Sequence, residues 1–129
     1  RDYYASRGLG DVYKRQVYIC APLRGDVEQN ITFAKEKARE VFQAGDIPIC
    51  PHLMFPPFAD PDDPVQDQAA REMGLRLVEH CQQVNVYGPV RTPGMLAEIR
   101  RAEELRIPVK ADQPGLQKTK GRPRRGQSR

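Results

Sequence analysis

The sequence is poor in cysteine and has no long apolar run, and both shortages limit what the protein can be. Its 129 residues include three cysteines without a C-x-x-C pair, so no disulfide framework is indicated and a reducing cytoplasm is the expected compartment. No apolar stretch approaches the ~18 residues of a membrane-spanning helix, so we expect no membrane partner. A signal peptide is also lacking, and because the chain does not begin with methionine we expect its natural start to be missing.

The positive charge is concentrated at the two ends of the chain. Residues 1–16 carry four basic and two acidic residues, residues 17–109 carry ten and fourteen, and residues 110–129 carry seven and one. The segments therefore have net charges of +2, −4 and +6, which agree with the overall +4. The mildly acidic middle also holds nearly all the periodic apolar residues, so it is predicted to fold as one domain, and the basic pI gives no reason to call the whole protein nucleic-acid binding.

Neither end shows the periodicity of a folded segment. Residues 1–16 resemble a translated adapter leader that occurs on unrelated metagenomic reading frames, and we expect them to be non-native. Residues 113–129 are predicted to be a disordered basic tail. Within that tail "KTKGRPRRG" resembles an AT-hook, an arm whose arginines enter narrow A·T minor grooves, so the tail is either solvated or a weak DNA contact. The folded domain is accordingly predicted to cover residues 17–112.

Short apolar runs alternate with helical periodicity along this domain. Runs of strand-forming residues predict four strands, over residues 17–22, 47–51, 84–88 and 107–110. Apolar residues at helical spacing predict three helices, over residues 28–44, 66–80 and 93–105. The proline-rich stretch 52–64 is predicted to be a long loop without helix or strand, of the kind that often serves as a lid or a binding loop.

Helical spacing also predicts which side chains face the core. In the first helix they are Ile31, Ala34, Ala38 and either Val41 or Phe42. In the second helix they are Ala70, Met73 and Leu77. In the third helix they are Met95, Ile99 and Ala102. Glu98 falls at the edge of that last apolar face, which is an unusual place for a carboxylate.

The order β-α-β-α-β-α-β predicts a three-layer α/β fold, a doubly wound parallel sheet of four to five strands, flavodoxin- or Rossmann-like. In such sheets ligands bind beyond the carboxyl ends of the strands, near the point where the strand order reverses. Three segments should therefore meet at one rim of the sheet, namely residues 21–26, 51–58 and 88–98.

The segment 92–98 has the features of an anion-binding helix start. Thr92 is a helix-capping residue, the first backbone N–H groups and the helix dipole attract anions, and Gly94 allows a ligand to approach closely. Arg24 at the same rim offers a guanidinium for a phosphate. The dipole also favours the ionised form of Glu98, which makes this carboxylate a candidate nucleophile.

Two cysteines and two histidines raise the alternative of a zinc site. They are Cys50, His52, His80 and Cys81. The first two follow one predicted parallel strand and the other two precede the next, so a strand of about 16 Å separates the pairs, against metal–ligand distances of about 2 Å. We therefore expect no metal, and we expect the cysteines to be buried small hydrophobic residues.

The stretches "VYICAPLRG", "PHL" and "TPGMLAE" resemble the nucleoside 2-deoxyribosyltransferase superfamily, which includes deoxynucleoside 5′-monophosphate N-hydrolases. The resemblance covers about residues 17–110 and is closest to an uncharacterised, often phage-borne branch. It implies that Glu98 attacks the anomeric carbon of a deoxyribose and that Tyr18, near the start of the first strand, orients it. It implies a nucleoside or nucleotide substrate, a homo-oligomer and no cofactor. The residues that it assigns to substrate binding are Arg24, Gly25, His52, Thr92 and Gly94.

The sequence departs from this family at one position. Gly74 stands where the family has an acidic residue that handles protons, and Glu72 is displaced from it by two positions. The first hypothesis is an enzyme that cleaves or transfers an N-glycosidic bond; a nucleotide-binding module without catalysis and a DNA-associated protein acting through its tail are the alternatives.

Each candidate side chain also has an ordinary structural interpretation. Glu98 is then an acid favoured by the helix dipole, and His52 is a hydrogen-bonded loop histidine. Arg24 pairs with a nearby surface carboxylate, and Tyr18 is a strand aromatic with its hydroxyl at the edge. The positions of these side chains relative to one another distinguish the two interpretations.

Overall fold

A parallel four-stranded sheet in the order β2-β1-β3-β4 organises the protein in a computed structural model that describes residues 15–22 and 26–111. The strands are β1 (Gln16–Cys20), β2 (Ile47–Ile49), β3 (Gln83–Val86) and β4 (Val109–Ala111). The helices are α1 (Val27–Gln43), α2 (Pro51–Met54), α3 (Pro64–Glu79) and α4 (Pro93–Glu104). The predicted doubly wound α/β fold is confirmed, with four strands in the described residues and the reversal of strand order between β1 and β3.

Alternate side chains of β1 supply the two halves of the core. Tyr18 and Cys20 pack in a cluster with buried residues of α3 and α4. Val17 and Ile19 pack in a second cluster, with residues of α1 and with Leu53 of α2. Because successive side chains of a strand point to opposite faces, a central strand between two helix layers must be apolar at every position, which explains the uninterrupted run of strand formers in "VYIC".

The helix starts follow from short polar side chains placed just before them. The Asp26 carboxylate accepts a hydrogen bond from the Gln29 N–H at 3.1 Å, and that of Asp63 accepts one from the Val65 N–H at 2.9 Å. The Thr92 hydroxyl accepts one from the Met95 N–H at 3.2 Å, which confirms the predicted cap of α4.

The prediction of an unbroken loop over residues 52–64 is wrong at both of its ends. Pro51 is the first residue of the short helix α2, and Pro64 is the first residue of α3. Proline at the first helical position costs no hydrogen bond, because the N–H that it lacks would have no partner within the helix. Proline density therefore marked the helix starts as well as the loop between them.

The predicted inward face of α3 is rotated by about one residue. Met73 is 54% exposed, and the buried residues of this helix are Gly74 and Val78. Ala70 and Leu77, also predicted to face inward, are partly buried. The glycine is the point at which α3 lies against the sheet, and an apolar-spacing rule gives no weight to a residue without a side chain.

In α1 the structure decides between the two residues that the sequence left open. Val41 is buried, whereas Phe42 is 70% exposed. Ala34 is buried as predicted, while Ile31 and Ala38 are partly buried.

The described fold begins slightly before the predicted domain. Gln16 already pairs with Ile47 in the sheet, and the Arg15 guanidinium lies 3.0 Å from the Asp46 carboxylate and donates to Gln83 Oε1 at 3.1 Å. Residues 1–14 of the predicted leader and the AT-hook-like tail lie outside the described residues, and the predictions for them stay predictions. No helix in the described part of the chain combines the length and the apolar character needed to cross a bilayer.

The different burial of Ile19 and Ile47 predicts different losses of stability when each is changed to alanine. Ile19 is 1% exposed at the centre of the sheet, so Ile19→Ala should lower the free energy of unfolding by about 2–5 kcal/mol. Ile47 lies on the edge strand and is 40% exposed, so Ile47→Ala should lower it by about 1 kcal/mol or less. Urea denaturation followed by circular dichroism measures both values, and equal losses would contradict this placement of the core.

Candidate active site

Glu98 and Tyr18 form one buried contact. The Tyr18 hydroxyl donates to Glu98 Oε2 at 2.6 Å, a bond that joins β1 to α4 across 80 residues of sequence. Tyr18 has no solvent exposure, and Glu98 is partly buried. A short bond to a carboxylate from a hydroxyl without access to water fixes one carboxylate oxygen and leaves Oε1 without a contact from Tyr18.

Burial governs the ionisation of this carboxylate. It raises the pKa of Glu98, while hydrogen bonds from Tyr18 and Cys20 and the charges of His52 and Arg71 oppose the rise. The net pKa is above the ordinary glutamate value. The helix dipole was expected to lower the pKa of Glu98, but burial has the larger effect and the pKa rises. Burial depends on tertiary packing, which the sequence does not display.

The Tyr18 hydroxyl is held in its protonated form. Burial raises the pKa of Tyr18 well above its usual value, and the nearby charge of Glu98 raises it further. While Glu98 is ionised it has no proton to give, so a phenol that keeps its proton is the donor in this hydrogen bond.

A cleft of about 480 Å³ opens above this pair at the carboxyl ends of β1, β2 and β3. Four of the residues predicted for the site line it: His52, Thr92, Gly94 and Glu98. The segment after α2 lines the cleft with the apolar residues Phe55, Pro56, Ala59 and Pro61 and with the acidic residues Asp60 and Asp62. The cleft thus has an apolar side that suits a planar ring and a polar side at the start of α4.

His52 is held at the rim by the end of β1. One of its ring nitrogens, Nε2, lies 2.5 Å from the Ala21 carbonyl oxygen, so Nε2–H is the donor of this hydrogen bond. The ring lies close enough to Glu98 for its charge to lower the pKa of that carboxyl. His52 is therefore a hydrogen-bonded histidine of α2 and also a residue of the cleft.

Gly74 lies directly against the tyrosine–glutamate pair. A Cβ at this position would be 3.2 Å from the Tyr18 hydroxyl and 3.8 Å from Glu98 Oε2, so a side chain there would press on the hydrogen bond. Glu72 does not replace the missing acid, because it lies in the outer groove between α3 and α4 and accepts a hydrogen bond from Gln68 at 3.0 Å. The structure thus leaves the position of the family's acid unfilled by either residue.

Sequence reasoning missed Arg71. This residue lies on α3, lines the cleft, and has its Nη1 within 3.3 Å of where a Gly94 Cβ would be. A lone arginine on the polar side of a helix usually belongs to a solvated face, so spacing alone gave no reason to select it. Its position three residues before Gly74 puts it on the same face of the helix, and this spacing could have indicated that Arg71 lies near the site.

Two predicted site residues and the zinc alternative remain to be placed. Arg24 and Gly25 lie outside the described residues. Cys50 and His52 follow the carboxyl end of β2, whereas His80 and Cys81 precede the amino end of β3, so the two pairs lie at opposite ends of the parallel strands. Within the described ranges, no group of three or more potential metal-ligating side chains is brought together.

Comparisons with known proteins agree with the fold. A family model described as "Domain of unknown function (DUF7768)" matches residues 15–112. No curated protein matches the chain. A solved structure of the 2-deoxyribosyltransferase from the psychrotolerant bacterium Bacillus psychrosaccharolyticus is similar, with 13% identity, a TM-score of 0.57, and coverage of 74% of this chain and 70% of that one. At this identity the likeness shows a shared fold, which is the fold of the superfamily that the sequence resembles; the phage-borne branch stays a prediction.

The raised pKa of Glu98 predicts a cost in stability at neutral pH. A carboxyl whose pKa is higher in the folded than in the unfolded protein binds protons more tightly when folded, so stability falls as pH rises from the unfolded value through the folded one. Glu98→Gln removes this cost and should have a higher Tm than the wild type at pH 7, with a smaller difference near pH 4. Calorimetry at both pH values is the measurement, and a variant that is less stable at pH 7 would contradict the dominance of burial.

Proposed function

The chain belongs to the DUF7768 family, and we propose that this member cleaves or transfers the N-glycosidic bond of a deoxynucleoside or a deoxynucleoside 5′-monophosphate. The observation that carries the proposal is the buried Tyr18–Glu98 hydrogen bond beneath a cleft at the reversal point of the sheet. The shared fold with a 2-deoxyribosyltransferase supports it. A poorly solvated carboxylate whose Oε2 is bonded to Tyr18 is suited to nucleophilic attack through Oε1.

The proposed reaction has two displacements at the anomeric carbon of the sugar. First, Oε1 of the Glu98 carboxylate forms a bond to this carbon while the bond to the base nitrogen breaks, and the base leaves with the bonding electron pair and takes up a proton from solvent water. Water or an N–H nitrogen of a second base then attacks the same carbon and gives up its proton to solvent, while the bond to Glu98 breaks and its electron pair stays on the carboxylate oxygen. Two inversions give retained configuration, as in retaining glycosidases.

The other proposed roles follow the positions around the cleft. Tyr18 positions Glu98 through Oε2 and touches no substrate in this proposal. Thr92 and Gly94 contact the 5′ end of the substrate, and His52 contacts it from the opposite rim. Arg24 and Gly25 are proposed as further substrate contacts on the resemblance alone. The steps use the side chains of this chain, and we propose no cofactor.

A second candidate function is a nucleotide-binding module without turnover. Gly74 favours it, because the leaving base needs a proton and neither this position nor Glu72 supplies an acid to the cleft. The two candidates share the cleft and differ in the release of free base.

We also propose two associations, one between copies of this chain and one with DNA. Val65 and Met73 on α3 and Leu96 on α4 are exposed apolar side chains, which supports a homo-oligomer that covers these helices. Sedimentation of the full chain tests this directly. The weak DNA contact through the tail rests on the sequence of residues 118–126, and a salt-dependent affinity lost on removing them would support it.

Removing the charge of Glu98 tests the proposed function. Glu98→Gln keeps the shape of the side chain and should lower the release of free base from a panel of deoxynucleosides and their monophosphates by at least ~10³-fold, the scale expected when a covalent nucleophile is lost. Chromatography of the free bases is the measurement. Glu103→Gln, an exposed change on the same helix, is the matched control and should keep the wild-type rate.

Two results would count against the enzymatic proposal. Near-normal turnover by Glu98→Gln would move the chemistry to another group. A wild type that binds nucleotide in calorimetry but releases no base from any member of the panel would favour the binding module.

A further inference from the structure

Arg71 has a fixed position at the polar end of the cleft. Its Nε donates to the Asp67 carboxylate at 3.0 Å, one turn earlier on α3. Within the described residues this is the one hydrogen bond and ion pair found for Arg71, and it uses the Nε edge of the guanidinium. Nη1 lies at the start of α4, 3.3 Å from where a Cβ of Gly94 would be. The guanidinium is thus bonded to Asp67 through Nε, and within the described residues Nη1 has no hydrogen bond beside the cleft.

The backbone beside Nη1 of Arg71 provides a second hydrogen-bond donor. Pro93 is the first residue of α4 and has no N–H, while the Met95 N–H is bonded to the Thr92 hydroxyl and the Leu96 N–H to the Thr92 carbonyl. In the described chain this leaves the Gly94 N–H as the first-turn amide without an acceptor. A side chain at position 94 would crowd Arg71, because its Cβ would lie 3.3 Å from Nη1. Glycine therefore keeps both donors accessible from the cleft.

The distance from these donors to Glu98 suits a sugar. Gly94 and Glu98 are four residues apart on one helix, so about 6 Å along its axis separates them. A pentose with its exocyclic carbon spans a gap of that order. A ligand whose anomeric carbon lies at Glu98 would therefore place its 5′ substituent near Arg71.

We infer that Arg71 is the residue that makes the cleft selective for a 5′-phosphate over a 5′-hydroxyl, so that the preferred substrates are deoxynucleoside 5′-monophosphates. The inference rests on the proposed function for the identity of the ligand. It concerns a residue of α3 that none of the motifs of the resemblance contains, and it stands on the geometry of Arg71, Asp67 and Gly94.

The chemistry of the donors favours the phosphate. A guanidinium edge and an amide N–H present only donors, and a phosphate presents several negatively charged acceptor oxygens to them. A hydroxyl presents one neutral oxygen and leaves the remaining donors without partners. Asp67 holds the guanidinium in place before the ligand arrives, so less rotamer entropy is lost on binding.

The test compares two substrates that differ in the phosphate alone. For each of the four bases, kcat/KM for base release is measured with the deoxynucleoside and with its 5′-monophosphate, and the ratio is taken. Arg71→Gln should lower the ratio of monophosphate to nucleoside by about 10- to 150-fold, the range for hydrogen bonds to a charged group. Arg71→Lys keeps the charge without the planar fork and should lower it less. Arg76→Gln, on the same helix but in the outer groove, is the matched control and should leave the ratio at the wild-type value.

A binding measurement separates this inference from the proposed function. Calorimetry on the Glu98→Gln background measures the affinity for each monophosphate, each nucleoside and inorganic phosphate, with and without Arg71→Gln. If no variant releases base but Arg71→Gln still weakens monophosphate binding selectively, the proposed function fails and the inference stands. If base is released and Arg71→Gln lowers both substrates equally or neither, the inference is overturned and the proposed function stands.

Discussion

The hydrogen bond between Tyr18 and Glu98 is the contact on which the arrangement of the site depends. It joins the central strand to the last described helix, and its donor Tyr18 has no solvent exposure while Glu98 is partly buried. A buried carboxylate is costly unless it has hydrogen-bond donors, and Tyr18 supplies one that keeps its own proton. The apolar face of α4 can therefore carry an acid at its edge because the strand beneath it provides the partner.

This contact also constrains the helix on the other side. Gly74 has a hydrogen atom where other residues have a Cβ, and a Cβ there would lie 3.2 Å from the Tyr18 hydroxyl. The close approach of α3 brings Arg71, one turn earlier, to the start of α4. Gly74 thus belongs to the same packing that positions the arginine. A site assembled from β1, α3 and α4 around one buried bond has a fixed floor, while its opposite wall comes from the segment between α2 and α3.

The sequence contains enough information for the fold and for the floor of the site. Alternating strand and helix patterns predicted the sheet, and helical spacing from Thr92 placed Glu98 at the edge of an apolar face. The role of Tyr18 as its partner came from the resemblance, and the structure brings the two together. These features depend on local sequence patterns and on the order of strands and helices, and both can be read from a single sequence.

The features that the sequence did not predict depend on tertiary packing. The helix α2 was missed because proline density looked like a loop, and the one-residue rotation of α3 was missed because Gly74 has no side chain to count. The net rise in the pKa of Glu98 comes from desolvation, which a dipole argument omits. Arg71 looked like any solvated arginine until α3 and α4 were placed side by side.

The central claim is that Glu98 carries the sugar between the two displacements. Its most direct test is mass spectrometry of the wild-type protein quenched in acid during turnover of a deoxynucleoside 5′-monophosphate, followed by digestion and mapping of any sugar adduct. We predict that the peptide containing Glu98 carries a 2-deoxyribose 5-phosphate whose anomeric carbon is esterified to the Glu98 carboxylate. Base release accompanied by an adduct on a different residue, or by none on Glu98, would contradict it.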